Sequence, residues 1–383
     1  MYYYYEWGIK QLHKHGEELC GDSVVISRSS NSVIMALSDG LGSGVKASIL
    51  SVLTTRIAIK MLEKEMSINE VVQALSETLP VCNIRKLAYS TFSIAQFFRN
   101  GIAKVVDFDS PAPILLRNRR VQPWVYDEHF IEGKNIREIE FQLEIGDWII
   151  FVSDGVVNAG IGGVYPLGWG WDQASQFMEQ GAHPKLSAHE LAEKITHAVS
   201  DLYAGVVGDD VSIVVVKVRQ KLTATVLTGP PIKKEKDEVL VKRFMNRHGK
   251  LIVCGGTTAK IVSRYLGRPL DVDLSTDSPD VPPLARIEGI DLVSEGILTL
   301  TKVYEYLRSG TQRDAIRFKT DGASLLLRIL LEVDHIHFIV GQTVNPAHQN
   351  PNLPNELRIR VTVVREIIDE LRNRGKEVSI ELD

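Results

Sequence analysis

The apolar run Ser32-Val33-Ile34-Met35-Ala36-Leu37 passes without a break into Ser38-Asp39-Gly40-Leu41-Gly42-Ser43-Gly44, and this junction constrains the fold more than any other stretch. The run reads as a buried strand, and the alternating glycines read as a sharp turn into a helix. Apolar residues then recur at helical spacing from Val45 to about Lys64 (Val45, Ile49, Val52, Leu53, Ile57, Ile59, Met61, Leu62), and a second helix is expected over 68–79, capped by Ser67 or Asn69.

The same wording returns twice. Strand patterns at 90–98, 101–108 and 114–117 lead to Trp148-Ile149-Ile150-Phe151-Val152, which ends on Ser153-Asp154-Gly155. Residues 155–186 are rich in glycine, carry Trp169 and Trp171, and read as a long excursion. A helix over 188–203 then precedes Gly208-Asp209-Asp210 and a strong strand at 211–218. With the turn-joined strands expected over residues 1–30, residues 1–219 close as one α+β unit.

A second unit is expected over 220–383. Between Lys217 and Lys250, ten Lys or Arg stand against three Asp or Glu, and this marks the junction. The pattern then restarts as strand and helix in alternation, with helices expected at 238–248, 257–266, 298–307, 315–333 and 361–374. That alternation argues for a three-layer α/β domain with a mainly parallel sheet. A length of 383 residues also suits two domains.

Composition excludes several classes. A formal net charge of −4 and a pI near 6.2 disfavour a generic nucleic-acid binder. No apolar run is long enough to span a membrane, and the N-terminus lacks the basic start and apolar stretch of a signal peptide. Cys20, Cys82 and Cys254 are too few and too far apart for a disulfide framework or a zinc site. A cytoplasmic protein with free thiols is expected.

The chemistry lies in the acidic turns. Asp39, Asp154 and Asp209-Asp210 each stand at the end of an apolar strand or just before one, and strand ends can converge. Clustered carboxylates need a countercharge to stay ionised, and magnesium or manganese prefers such oxygen ligands plus water. A two-metal centre follows, able to activate water and to stabilise a phosphoryl group under attack. Any one Asp-Gly is an ordinary turn. Three in this order, about 115 and then about 55 residues apart, are not.

In order and wording these motifs resemble the bacterial branch of the metal-dependent type 2C protein phosphatases, the group typified by the sporulation phosphatase SpoIIE and the stress-response phosphatases of the Rsb system. The resemblance covers residues 15–219. It implies a four-layer α-β-β-α sandwich and two manganese or magnesium ions. Asp39 would bridge both ions, the Gly40 carbonyl would help hold one, and Asp154 and Asp209 would hold the other. Asp210 and Asp22 have weaker claims, Asp22 as a support through water or a further ion. The segment Asp107-Phe108-Asp109-Ser110-Pro111-Ala112-Pro113 resembles a family turn in which a histidine is usual; here Asp109-Ser110 replaces it. The helix after Gly44, residues 47–53 above all, resembles a regulatory element of the family, and Trp169 and Trp171 fall where the family carries a variable flap. The implied activity is hydrolysis of phosphoserine or phosphothreonine on a protein, with a partner of the anti-sigma-antagonist type.

Residues 222–383 resemble no domain of known activity. Thr228-Gly229-Pro230-Pro231, Cys254-Gly255-Gly256-Thr257-Thr258, Asp291 to Gly296 and Gly341-Gln342-Thr343-Val344-Asn345-Pro346 all read as turns at strand ends. Gly255, Gly256, Thr257 and Thr258 open a helix, a place suited to an anion, so a small phosphorylated or carboxylated ligand is expected there. Ordinary α/β connections explain the same turns without a ligand. His335 and His337 lie on one strand and read as packing residues.

Overall fold

The computed structural model describes residues 3–29, 31–78, 90–131, 134–273, 284–342 and 356–383. Cys82 and the stretch 343–346 lie outside them. The chain divides into two compact units, Met1–Gln220 and Lys221–Asp383.

The first unit runs β1 (Tyr3–Leu12), β2 (Asp22–Arg28), β3 (Ser32–Gly40), α1 (Gly44–Glu63), α2 (Ile68–Thr78), β4 (Ser90–Phe98), β5 (Ile102–Phe108), β6 (Ile114–Arg117), β7 (Arg120–Gln122), β8 (Asp127–Ile131), β9 (Lys134–Gln142), β10 (Trp148–Val152), α3 (Asp154–Val157), α4 (Trp171–Gly181), α5 (Ala188–Leu202) and β11 (Val211–Gln220). Among the described residues one sheet has the order β1-β11-β10-β6-β7 and the other β2-β3-β4-β5-β9-β8.

Period-two alternation builds the layers. On β3, Val33, Met35 and Leu37 meet Ile149, Phe151, Val214 and Val216 of the other sheet, while Ile34 and Ala36 turn outward onto Ala58, Ile59 and Leu62 of α1 and Val71 and Leu75 of α2. The opposite outer face, with Ile150, Val152, Ile213 and Val215, is covered by α4 and α5 through Met178, Leu191 and Ile195. The result is the four-layer α-β-β-α sandwich. Asp39 continues the inward parity of 33, 35 and 37, so the strand that builds the core also aims its last carboxylate at the end of the inter-sheet space.

Local signals decide the boundaries. Ser67, not Asn69, caps α2: its hydroxyl accepts from the Glu70 amide at 3.3 Å while the Glu70 carboxylate accepts from the Ser67 amide at 2.7 Å. The expected excursion over 155–186 is partly helical, since α3 and α4 lie within it. Trp169 is buried with its ring against Phe177, and Trp171 Nε1 donates to the Ala112 carbonyl at 2.8 Å. Both tryptophans therefore pin this segment to the core. The short strands β7 and β8, and β9, carry too little alternation to have been expected.

The second unit runs β12 (Thr223–Thr228), α6 (Asp237–Met245), β13 (Lys250–Cys254), α7 (Gly256–Leu266), β14 (Asp271–Asp273), β15 (Leu284–Arg286), β16 (Leu292–Ser294), α8 (Ile297–Arg308), α9 (Gly322–Glu332), β17 (His335–Val340), α10 (Glu356–Asn373) and β18 (Glu377–Leu382). Its sheet has the order β14-β15-β16-β13-β12-β17-β18 among the described residues, with β16, β13, β12, β17 and β18 parallel. Helices α8, α9 and α10 cover one face, and α6 and α7 the other. This is a three-layer α/β unit.

Two expectations for this unit change. The helix expected over 315–333 begins only at Gly322, because the Asp321 carboxylate accepts from the Ser324 amide at 2.9 Å and restarts the chain as a capped helix. Asp291 stands before β16, not at its carboxyl end; it accepts from the Leu251 amide at 2.9 Å and pairs with Lys250 at 2.7 Å.

Candidate metal centre

The site is assembled by register. Asp22 on β2 stands directly opposite Asp39 on β3, and Asp39 stands opposite Thr91 on β4. From the other sheet, β10 ends one residue before Ser153, and Asp154 opens α3 beside the start of β11. The two sheets thus present their carboxylates at one end of the sandwich.

Two glycines make this closeness possible. A Cβ on Gly40 would fall 2.1 Å from the Ala47 carbonyl oxygen, so α1 packs directly on the end of β3. A Cβ on Gly155 would fall 2.1 Å from the Asp210 carbonyl oxygen, which lets α3 start against the turn before β11. Tyr203 secures that start from behind, its hydroxyl donating to the Gly155 carbonyl at 2.8 Å.

The electrostatics are those of crowded carboxylates in a dry place. Burial, reinforced by the charges of Asp22 and Asp154, pushes Asp39 up to about 9. Burial also pushes Asp22 up to about 7, against the lowering effect of the Ser212 and Ser153 hydroxyls and with the charges of Asp210 and Asp154. Of those hydroxyls, Ser212 Oγ accepts from Gln11 Nε2 at 2.9 Å, and Ser153 Oγ accepts from the Ser212 amide at 2.8 Å and donates to the Asp210 carbonyl at 3.4 Å. Both Asp22 carboxylate oxygens are buried without a hydrogen bond. Asp154 is raised by burial and then by the Asp209 charge, and it shares a hydrogen bond with Asp39.

The remaining acidic residues separate into distinct jobs. Asp210 is buried, and its two oxygens accept from the Lys14 amide at 3.0 Å and the Gly21 amide at 2.9 Å. It ties the β1–β2 connection to the start of β11, which accounts for this carboxylate without a metal. Asp209 is more open; its Oδ1 accepts from the Asp210 amide at 3.0 Å and lies 3.8 Å from Lys14 Nζ. Asp109, which sequence placed only as a substitute for a usual histidine, adds its charge to that felt by Asp154. With Asp39, Thr91, Ser110, Ser153 and Asp154 it lines a cavity of about 30 Å³, large enough for water.

Among the described residues, no three His, Cys, Asp or Glu side chains stand in a ready-made metal-ligand geometry. Asp39 and Asp154 instead crowd each other, and burial with the neighbouring negative charges raises both. The donor set nonetheless fits a hard divalent ion. Asp22 contributes two unpartnered buried oxygens, every candidate donor is oxygen, and magnesium or manganese takes only one or two carboxylates and completes its shell with water.

Cys20 stands beside this centre, and burial with the nearby Asp22 charge pushes its thiol up to about 12. It is held as an unreactive thiol. In the second unit, Gly255 to Thr258 open α7 as expected, but Glu295 Oε1 lies 3.9 Å from where a Cβ on Gly256 would sit. An acidic neighbour works against an anion there. His335 and His337 share one face, both within hydrogen-bond reach of Ser379 Oγ, at 3.2 and 2.7 Å.

A sandwich with carboxylates gathered at one end of its paired sheets defines a metal-dependent hydrolase of phosphate esters. Residues 29–219 match the family model of Stage II sporulation protein E (SpoIIE), and the N-terminal unit belongs to that family, whose phosphatases of the PP2C type hydrolyse serine and threonine phosphoesters with divalent metal. Similar solved structures include the phosphatase domain of SpoIIE from Bacillus subtilis (21% identity, TM-score 0.45, 57% of this chain and 93% of that one). RsbX in complex with magnesium is similar at 17% identity and a TM-score of 0.42, over 56% of this chain and 95% of that one. The SiaA PP2C domain of Pseudomonas aeruginosa is similar at 18% identity and a TM-score of 0.44, over 55% and 85%. No curated protein matches the chain. Among the described residues no helix is long and apolar enough to cross a membrane.

Proposed function

We propose that the first unit dephosphorylates a phosphorylated regulatory protein, of the anti-sigma-antagonist type, and that the second unit sets its output in response to a small ligand. The observation that carries the phosphatase reading is the cross-strand pair of buried Asp22 and part-buried Asp39, both raised in pKa by burial and by the charge of Asp154. Asp39, Asp154 and Asp209 would hold two manganese or magnesium ions, with the Gly40 carbonyl and Asp22 in support. When bound, the ions supply Lewis-acid activation of water and neutralise charge on the phosphoryl group.

The chain's own residues do the rest. Asp210 fixes the β1–β2 connection through two backbone amides, so Asp22 enters β2 at a set height opposite Asp39. Ser153 ties the end of β10 to β11 through the Ser212 amide and holds Asp154 at the mouth of the site. Thr91 and Ser110 line the cavity and leave room for water beside the carboxylates. For the second unit, the supporting observation is the parallel order β16-β13-β12-β17-β18, in which β12 is the first strand and the chain turns to opposite sides of it. Ligands of open α/β sheets bind at the carboxyl ends of such strands.

The test is hydrolysis by the full chain of phosphoserine and phosphothreonine peptides, with manganese titrated in. Turnover that depends on manganese and is lost in Asp209→Ala is expected. Equal rates with and without the metal, or in the variant, would overturn the reading.

A further inference from the structure

We infer that Arg137 is a positioning residue for the phosphatase reaction, acting through the Asp109–Pro113 turn, an inference that rests on the phosphatase reading above. The residues that carry it lie in a row across the six-stranded sheet. Leu37 stands opposite Ser93, Ser93 opposite Asp107, and Asp107 opposite Arg137. Leu37 packs in the inter-sheet core, so the row faces the interior, two residues along β3 from Asp39.

This row is an unusual thing to bury. Asp107 is wholly buried; one oxygen accepts from the Ser93 hydroxyl and the other has no hydrogen bond. Its countercharge is the Arg137 guanidinium on the next strand. The guanidinium carbon also lies 4.9 Å from the centre of the Tyr126 ring, so it is held by a charge and by an aromatic face. What it does with its donors is the informative part. Arg137 Nη2 donates to the Ser110 carbonyl at 2.7 Å, on the turn that lines the cavity beside Asp39 and Asp154.

That turn needs holding for two reasons. Asp109 has φ 51°, a left-handed backbone that an L-residue adopts only under constraint, and its carboxylate faces the like charge of Asp154. Both effects work against this conformation of the turn, which places Ser110 and Pro111 on the cavity wall. The Arg137 hydrogen bond to the Ser110 carbonyl holds it there. Arg137 is not among the residues that line the cavity; it fixes the turn that forms one wall of it.

The experiment is steady-state hydrolysis of p-nitrophenyl phosphate by the full chain with saturating manganese, alongside thermal unfolding. Arg137→Met keeps an apolar stem against Tyr126 but has no donor, and is expected to lower kcat about tenfold with KM changed by less than about twofold. Arg137→Lys still donates to the Ser110 carbonyl and is expected to recover most of that rate. In an Asp109→Gly background, where a positive φ carries no strain and the carboxylate is gone, the loss from Arg137→Met is expected to shrink to under about threefold. Equal kcat in wild type and Arg137→Met, or an undiminished loss in the Asp109→Gly background, overturns the inference. If Arg137→Met does not fold, Arg137→Leu, which also lacks a donor, carries the same comparison. A wild-type chain with no manganese-dependent turnover overturns the phosphatase reading itself, and is distinguished from the other outcomes by that control alone.

Discussion

Both units end their core strands on glycine-bearing polar turns, yet the two sets of turns are finished differently. At the carboxyl edge of the second unit the charged and polar groups are mostly consumed locally. Glu295 accepts from the Gly296 amide, Ser294 donates to the Cys254 sulfur at 3.5 Å, and Asp321 caps α9. Among the described residues, the groups left without a partner there are the hydroxyls of Thr228 and Thr299 and the Nε of Arg243, whose other nitrogens pair with Glu381 and Asp383. In the first unit they are the Tyr126 hydroxyl and buried carboxylate oxygens of Asp107 and Asp22, and Asp22 adds to a crowd of like charges with Asp39 and Asp154. An unpaired hydroxyl is a modest penalty, whereas unpaired buried carboxylates invite a cation. Unsatisfied charge, more than the turn motif itself, separates a candidate centre from a connection.

The comparison is broken most directly by removing one acid from each unit. Asp39→Ala is expected to lower manganese-dependent phosphomonoester hydrolysis by about 10³-fold, the equivalent of several kcal/mol of lost charge stabilisation. Glu295→Ala is expected to leave the same rate within about twofold, because its carboxylate serves a local turn. Equal losses in the two variants, read from initial rates, would erase the distinction.

A second test uses pH. Asp39 is raised to about 9 and Asp22 to about 7, so between pH 5 and 8 the folded state binds more protons at these sites than the unfolded chain does. Stability must then fall as pH rises through that window. The melting temperature of chelator-treated protein is expected to drop by several degrees from pH 5 to pH 8, and Asp39→Asn to flatten this contribution. Added manganese should raise the melting temperature more at pH 8 than at pH 5, since the ion competes with protons. A chelated protein whose melting temperature rises over this range in an Asp39-dependent way would contradict the assignment.

The smallest effect has the most diagnostic sign. Asp22→Asn removes a buried charge whose oxygens have no hydrogen bond, and is expected to stabilise metal-free protein by about 1 kcal/mol, roughly 2–4 °C in melting temperature. The same variant should bind manganese more weakly by calorimetry. A destabilised variant with unchanged manganese affinity would make Asp22 a structural residue.

Much of this was legible in the chain because it is local. The strand into Ser38-Asp39-Gly40 and the helix behind it follow from periodicity and glycine spacing, and the order of Asp39, Asp154 and Asp209 carries the family resemblance. What was not legible depends on contacts far apart in sequence. Asp210 has the same wording as Asp209, yet only the fold brings the Lys14 and Gly21 amides to it. Arg137 sits on a strand with little pattern of its own, and its role appears only when β9 pairs with β5 and faces the Asp109 turn. Trp169 and Trp171 stand in a glycine-rich stretch without periodicity, and only the fold brings Phe177 and the Ala112 carbonyl to them.

The sequence by itself determined the two units, their α+β and α/β classes and the three acidic turns, because hydrophobic period and glycine placement act over a few residues. The tertiary structure decided which carboxylates meet, which are already satisfied, and which carry pKa values far from their ordinary range. Those outcomes depend on burial and on partners from other strands, and the energy of a charge is set by what surrounds it, not by its neighbours along the chain.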